Sequence, residues 1–180
     1  MAGFLSVVVT LAVLAAVALL GRSWLRARPR LRAWRQRREW QASREADRQA
    51  AREVLSRPRE QWPLLDRLPP GFTGEPAYYA ARCTLLEERP GGDGFVARGQ
   101  GWLIVGRRRL FFHPDGGGDG ALAIPYPAIE RVDSPYVNVL EVIEQDPETR
   151  VWTSHFFRLN RPLVVAAYLS RLAGFELILS

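Results

Sequence analysis

Lysine is absent from this chain, and cysteine, methionine and histidine nearly so: every basic residue is Arg, with one Cys, one Met and two His. A single Cys excludes an intrachain disulfide framework and a Cys-rich zinc site. His113 and His155 stand 42 positions apart, and no HExxH, GxSxG or phosphate-loop pattern occurs. No motif therefore points to metal-assisted hydrolysis, a serine nucleophile or nucleotide phosphates. Charge is missing altogether from Met1 to Gly21. What is present in quantity is apolar: 47% of the 180 residues are hydrophobic, which excludes global disorder and suits one folded domain with an appendage.

The net charge of +6 is unevenly placed. Arg22 to Trp62 holds 13 Arg and 5 acidic residues, whereas Pro63 to Ser180 holds 12 Arg and 14 acidic residues. The high pI therefore belongs to one short segment, and the body is no basic-faced nucleic-acid binder. Phe4 to Leu20 is almost wholly Leu, Val and Ala. About 20 residues at ~1.5 Å each cross a hydrocarbon core, so residues 1–21 are expected to form a transmembrane anchor. A cleaved signal peptide would carry its positive charge before the apolar run, and here the charge follows it. Arg22, Arg26, Arg28, Arg30, Arg32, Arg35, Arg37 and Arg38, with Trp24 and Trp34, are the expected membrane-surface residues. Arg is held on the cytoplasmic side and Trp prefers the headgroup level. The expectation is a single-pass protein of the cell membrane, N-terminus outside and C-terminal body in the cytoplasm.

Residues 22–70 are expected to be an Arg-rich helical connector. Pro29 suits the first turn of a helix and Pro58 stops one, so the helix is placed between Arg30 and Arg57. Ala42, Ala46, Ala50 and Val54 make a thin stripe at spacing four. Three roles stay open for this helix: lying along the anionic inner leaflet at ~1 kcal/mol per close Arg, pairing two copies through the stripe, or serving as a solvated spacer.

From Gly71 the period changes to alternation. Tyr79, Ala81, Cys83 and Leu85 mark one face of a first strand, with Arg82, Thr84 and Leu86 on the other. Further short strands are expected at Trp102–Val105, Leu110–Phe112, Leu122–Ile124, Glu130–Asp133, Val137–Glu144 and Arg150–Phe157. Gly106 to Arg109 reads as a tight hairpin and His113 to Gly120 as a flexible loop. Arg161-Pro162 opens an amphipathic helix through Leu172, with Gly174 as C-cap. The fold class expected is α+β, mainly β: an anchor, a helical connector, then a seven-stranded sandwich or small barrel over 71–180, closed by the final helix.

Within this body, Gly99 to Val132 resembles the core of a GRAM domain, a branch of the pleckstrin-homology superfold. The matching residues are Gly101, Trp102, Arg109, Leu110, Phe112, Ile124, Pro125, Ile129 and Val132. The aromatic strand Trp152 to Phe157 and the closing helix also fit that family's order. The resemblance implies a PH-like binding module, of the kind that takes inositol phospholipids through basic residues on its first two strands and their loop. Here the corresponding loop, Glu87 to Asp93, is acid-rich and departs from that pattern.

Arg107, Arg108 and Arg109 are the one basic cluster of the body, and Arg107 and Arg108 are the candidate anionic-ligand residues. Arg109 falls on the family's structural position. Cys83 lies on the apolar face of its strand as a small core residue. The loop with Asp115, Gly116, Gly117, Gly118 and Asp119 lacks the carboxylates of a calcium loop. The reading is a non-enzymatic binding or scaffolding module at the membrane. It needs no cofactor, metal or nucleic acid, and its partners are the membrane and a protein not identified by sequence. The alternative is a lipid-headgroup sensor using the Arg107–Arg109 hairpin.

Overall fold

The computed structural model describes residues 39–92, 94–117 and 120–178. The chain divides into two units, Met1–Ser43 and Arg44–Ser180. Of the first, residues 39–43 are described, and they are helical and exposed. The remaining elements lie in the second unit. Residues 44–56 are α-helical (α1). Then come β1 (Ala77–Glu88), β2 (Phe95–Gly106), β3 (Arg109–Pro114), β4 (Leu122–Pro125), β5 (Ile129–Tyr136), β6 (Val139–Gln145), β7 (Trp152–Leu159) and α2 (Pro162–Ala173). Single 3-10 turns occupy Arg59–Gln61 and Tyr126–Ala128.

The strands form one antiparallel sheet in the order β4-β3-β2-β1-β7-β6-β5. Every neighbouring pair is consecutive in sequence except β1 with β7, where Cys83 faces Leu159 and Leu85 faces Phe157. The inner face carries Leu103, Val105, Leu110, Phe112, Ile124, Leu140, Val142 and Phe157, and α2 closes over it with Val164, Val165, Tyr168 and Leu169. Phe112 and Phe157 meet at 6.1 Å between ring centroids. Removing a ring from this core, as in Phe157→Ala, is expected to cost ~3–5 kcal/mol. At Gly101 a Cβ would collide with the backbone of His113 and Pro114 on β3, so close approach of the strands requires glycine there.

This architecture corrects the expected fold. The described residues make a single antiparallel sheet with two helices, not a membrane-anchored sandwich or barrel. No helix among them is long and apolar enough to cross a membrane. The apolar run assigned to an anchor, residues 1–21, lies outside the described residues, as do the Arg and Trp residues from Arg22 to Arg38. Two local readings also change. Leu86 keeps its place on the outer face of β1 yet is buried, opposite Phe156 of β7, while the register shift beside it puts the extra residue, Arg98, on β2. β2 begins at Phe95, seven residues before the apolar run that marked it, because its first half is mostly exposed and carries no continuous apolar run.

Residues 44–70, read from the sequence as connector, are packed into the second unit. Ala51 of α1 is fully buried against Leu163 and Ala167 of α2, with Val54 and Leu55 beside them. The face that α1 buries runs through Asp47, Ala51, Val54 and Leu55, at the i, i+4, i+7, i+8 spacing of one helical stripe. Ala46 is exposed. Arg161, the residue before α2, offers no side-chain cap. Asp47 replaces it: its carboxylate accepts from the amides of Leu163 at 3.0 Å and Val164 at 3.2 Å while only 4% exposed. A helix N-terminus concentrates unpaired donors and partial positive charge, which a carboxylate satisfies. Past Gln61, Trp62 packs edge-on against Tyr78 and Tyr168 at 5.4 and 4.8 Å. Phe72 covers Phe111 on the outer face of β3.

Candidate functional site

Arg107 and Arg108 occupy the turn between β2 and β3, and both side chains are exposed. The turn is fixed by its backbone. Glu75 Oε1 accepts from the amides of Arg108 at 2.7 Å and Arg109 at 3.0 Å. The buried Tyr126 hydroxyl donates to the carbonyls of Gly106 and Arg109 at 2.7 and 3.0 Å. Burial pushes the ionisation of that phenol well above its ordinary range. Arg59 donates to the carbonyl of Arg107 at 3.2 Å. A shallow depression of about 410 Å³ opens here, lined by Arg59, Glu60, Trp62, Leu64, Tyr78 and Arg107. The amides that would receive an anion at this turn are thus already bonded to the chain's own carboxylate. Arg107 and Arg59 are brought together, but with Glu60 and Glu75 beside them.

A second surface, not singled out in the sequence, lies on the outer face of the sheet. Phe157 points into the core, so Phe156 points outward. Phe156 meets Phe95 at 4.8 Å between ring centroids, and Phe95 meets Tyr136 at 5.9 Å. Beneath them Leu86 and Val139 are buried, outside the main core cluster. Around them Tyr136 is 60% exposed and Val137 40%. The acidic residues of this face follow from register. Glu88 is opposite Phe95, Glu141 is opposite Phe156, and Asp133 is opposite Glu141. Directly opposed residues share a face, and like charges so placed repel. Asp133 accepts from its neighbour Ser134 N and Glu141 from Ser154 Oγ. Among the described residues no cation pairs with Glu88, Asp133 or Glu141. The sequence signal lies in Phe95 and Phe156, but no local pattern places Phe95 in a strand, and only the pairing of β1 with β7 brings the two together.

The remaining chemistry-bearing residues stay apart. His155 Nε2 lies 2.8 Å from Glu144 Oε2 across β6 and β7, at one side of a cleft that also holds Leu85, Leu122 and Phe156. His113 sits on β3 against Phe72, at 5.8 Å between ring centroids. Cys83 is buried, and desolvation pushes its thiol up to about 12, so little thiolate exists at neutral pH. Asp115 is taken by Arg82 in a two-pronged ion pair, one arm at 2.8 Å. Among the described residues no three His, Cys, Asp or Glu side chains come together as a metal site. Compared with known proteins, the chain matches no family model and no curated protein.

Proposed function

We propose that residues 44–180 form a non-catalytic binding module whose working surface is the aromatic face of Phe95, Tyr136 and Phe156. Its partner on this reading is a protein segment carrying aliphatic side chains flanked by Arg or Lys. The observation that carries the proposal is the coincidence of exposed apolar groups with unpaired, mutually repelling carboxylates. Aromatic residues contribute most of the energy at protein interfaces, through desolvated contact area. A partner cation between Asp133 and Glu141 would relieve their repulsion, and charges of this kind set orientation and association rate more than affinity. The setting we propose is the cytoplasmic side of the cell membrane. What supports it is sequence: an uncharged stretch from Met1 to Gly21 followed by the Arg-rich block. Confinement to a surface raises the effective concentration of a module for partners held there, which gives a scaffold its mechanism. A GRAM-like ancestry for Gly99–Val132 is part of the same proposal, and its support is that these residues supply most of the meander β2-β3-β4 and then the start of β5, which lies at the opposite edge of the sheet. The headgroup-sensor reading of Arg107 and Arg108 is less well supported, because Glu75 fills the anion position of that turn.

The test is proximity labelling in the native cell with the full chain and its Phe95→Ser/Tyr136→Ser variant. The expected result is a set of proteins labelled by the wild type and depleted at least tenfold in the variant, at equal expression and unchanged circular dichroism. An identical set from both would remove the proposal.

A further inference from the structure

On the same outer face, and independently of the aromatic surface, a cleft of about 310 Å³ is lined by Arg82, Thr84, Gln100, Asn138, Arg158 and Asn160, with Cys83 and Leu159 at its floor. Register explains how these side chains meet. Thr84 is opposite Gln100 on β2 and opposite Arg158 on β7, so the three form one row. Arg82 stands two positions along β1 and therefore on the same face. Its guanidinium is held by Asp115 and lies 5.2 Å from the ring of Trp102, so it presents a fixed donor edge rather than a free charge. The free charge comes from Arg158, which has no ion pair among the described residues. Asn138 adopts a left-handed backbone, φ 66°, at the β5–β6 turn, and its carbonyl accepts from Leu159 N at 2.9 Å. That bond sets the turn against the end of β7.

Every polar side chain lining the cleft is a guanidinium, an amide or a hydroxyl, and none is a carboxylate. Such a lining offers many donors and one unneutralised cation, and the carboxylate nearby, Asp115, is already engaged by Arg82. We propose that it binds a tetrahedral oxyanion, a phosphate group, whether free in solution or carried on a lipid headgroup. A guanidinium suits this role through its forked donors, with Thr and amide groups completing the shell. The site is distinct from the Arg107–Arg108 turn: there the backbone amides are occupied by Glu75, and here no acidic side chain lines the cleft.

The experiment is calorimetric titration of the full chain with inorganic phosphate at low salt, with sedimentation on phosphatidylcholine vesicles with and without phosphatidic acid. Wild type is compared with Arg158→Gln, with Thr84→Val, and with Arg107→Gln/Arg108→Gln. The expected result is saturable phosphate binding, weakened at least tenfold by Arg158→Gln and about threefold to tenfold by Thr84→Val, the scale of one or two lost hydrogen bonds, and unchanged by the turn variant. Vesicles distinguish the source. Phosphatidic acid binding reduced in Arg158→Gln, which leaves residues 22–38 intact, assigns the site to a headgroup. Vesicle binding equal in both proteins, beside an Arg158-dependent phosphate isotherm, assigns it to a soluble phosphate compound. Absence of saturable phosphate binding together with vesicle binding indifferent to Arg158, or binding lost only in the turn variant, would overturn the proposal.

Discussion

Two carboxylates in this protein perform the same act in different surroundings. Asp47 and Glu75 each accept from two consecutive backbone amides of a distant element, Leu163 and Val164 in one case and Arg108 and Arg109 in the other. Asp47 does so almost completely buried, across 116 residues of sequence, and it ties α1 to the helix that closes the core. Glu75 does so at a partly exposed turn, across 33 residues, and ties a loop to a hairpin. Water competes for the second pair of amides and not for the first. Equal hydrogen-bond counts should therefore give unequal energies, and burial should decide the difference.

Breaking the buried pair should have the largest effect. Asp47→Ala leaves two donors of α2 without partner or water, and urea unfolding should show a loss of ~2–3 kcal/mol. A loss equal to that of the exposed pair would mean that α1 is not held where the structure places it. Next comes Tyr126→Phe, which strips the buried carbonyl of Gly106 of its partner, for ~1–1.5 kcal/mol by the same measurement. Glu75→Ala should cost less, ~0.5–1 kcal/mol, since solvent can replace the carboxylate. The smallest effect is the dependence on pH. Desolvation outweighs the amide hydrogen bonds at Asp47 and raises its carboxyl above the ordinary value of 3.8. A raised carboxyl contributes stability that is complete below 3.8 and is lost as pH rises through the folded-state value. Wild type should therefore lose stability relative to Asp47→Asn as pH rises above 3.8. A difference that grows in the opposite direction would show that the amide bonds, not burial, dominate.

The same contrast explains what could be read from sequence. Alternation and turn residues located the strands and the final helix, and Gly174 does end α2 in a left-handed conformation, φ 84°. The role of Asp47 was not legible, because a polar residue within an Arg-rich helix looks solvated until a helix over a hundred residues later arrives above it. The inward face of α1 was half legible: Ala50 and Val54 of the stripe at spacing four pack against the core, whereas Ala42 and Ala46 are exposed and the fully buried Ala51 stands outside the stripe. The aromatic surface required pairing of β1 with β7, which no local pattern encodes. Arg107 and Arg108 were legible as an exposed basic turn. That the backbone amides of Arg108 and Arg109 were already satisfied was not, because Glu75 lies in a loop without periodicity.

The central functional claim is that the partner docks on the aromatic face and not on the basic turn. The most direct measurement is site-specific photo-crosslinking in the native cell, with the crosslinker placed at Tyr136 in one full-length protein and at Arg107 in another. The account predicts a discrete protein adduct from position 136 and none from position 107. A discrete adduct from 107 with none from 136 would contradict it.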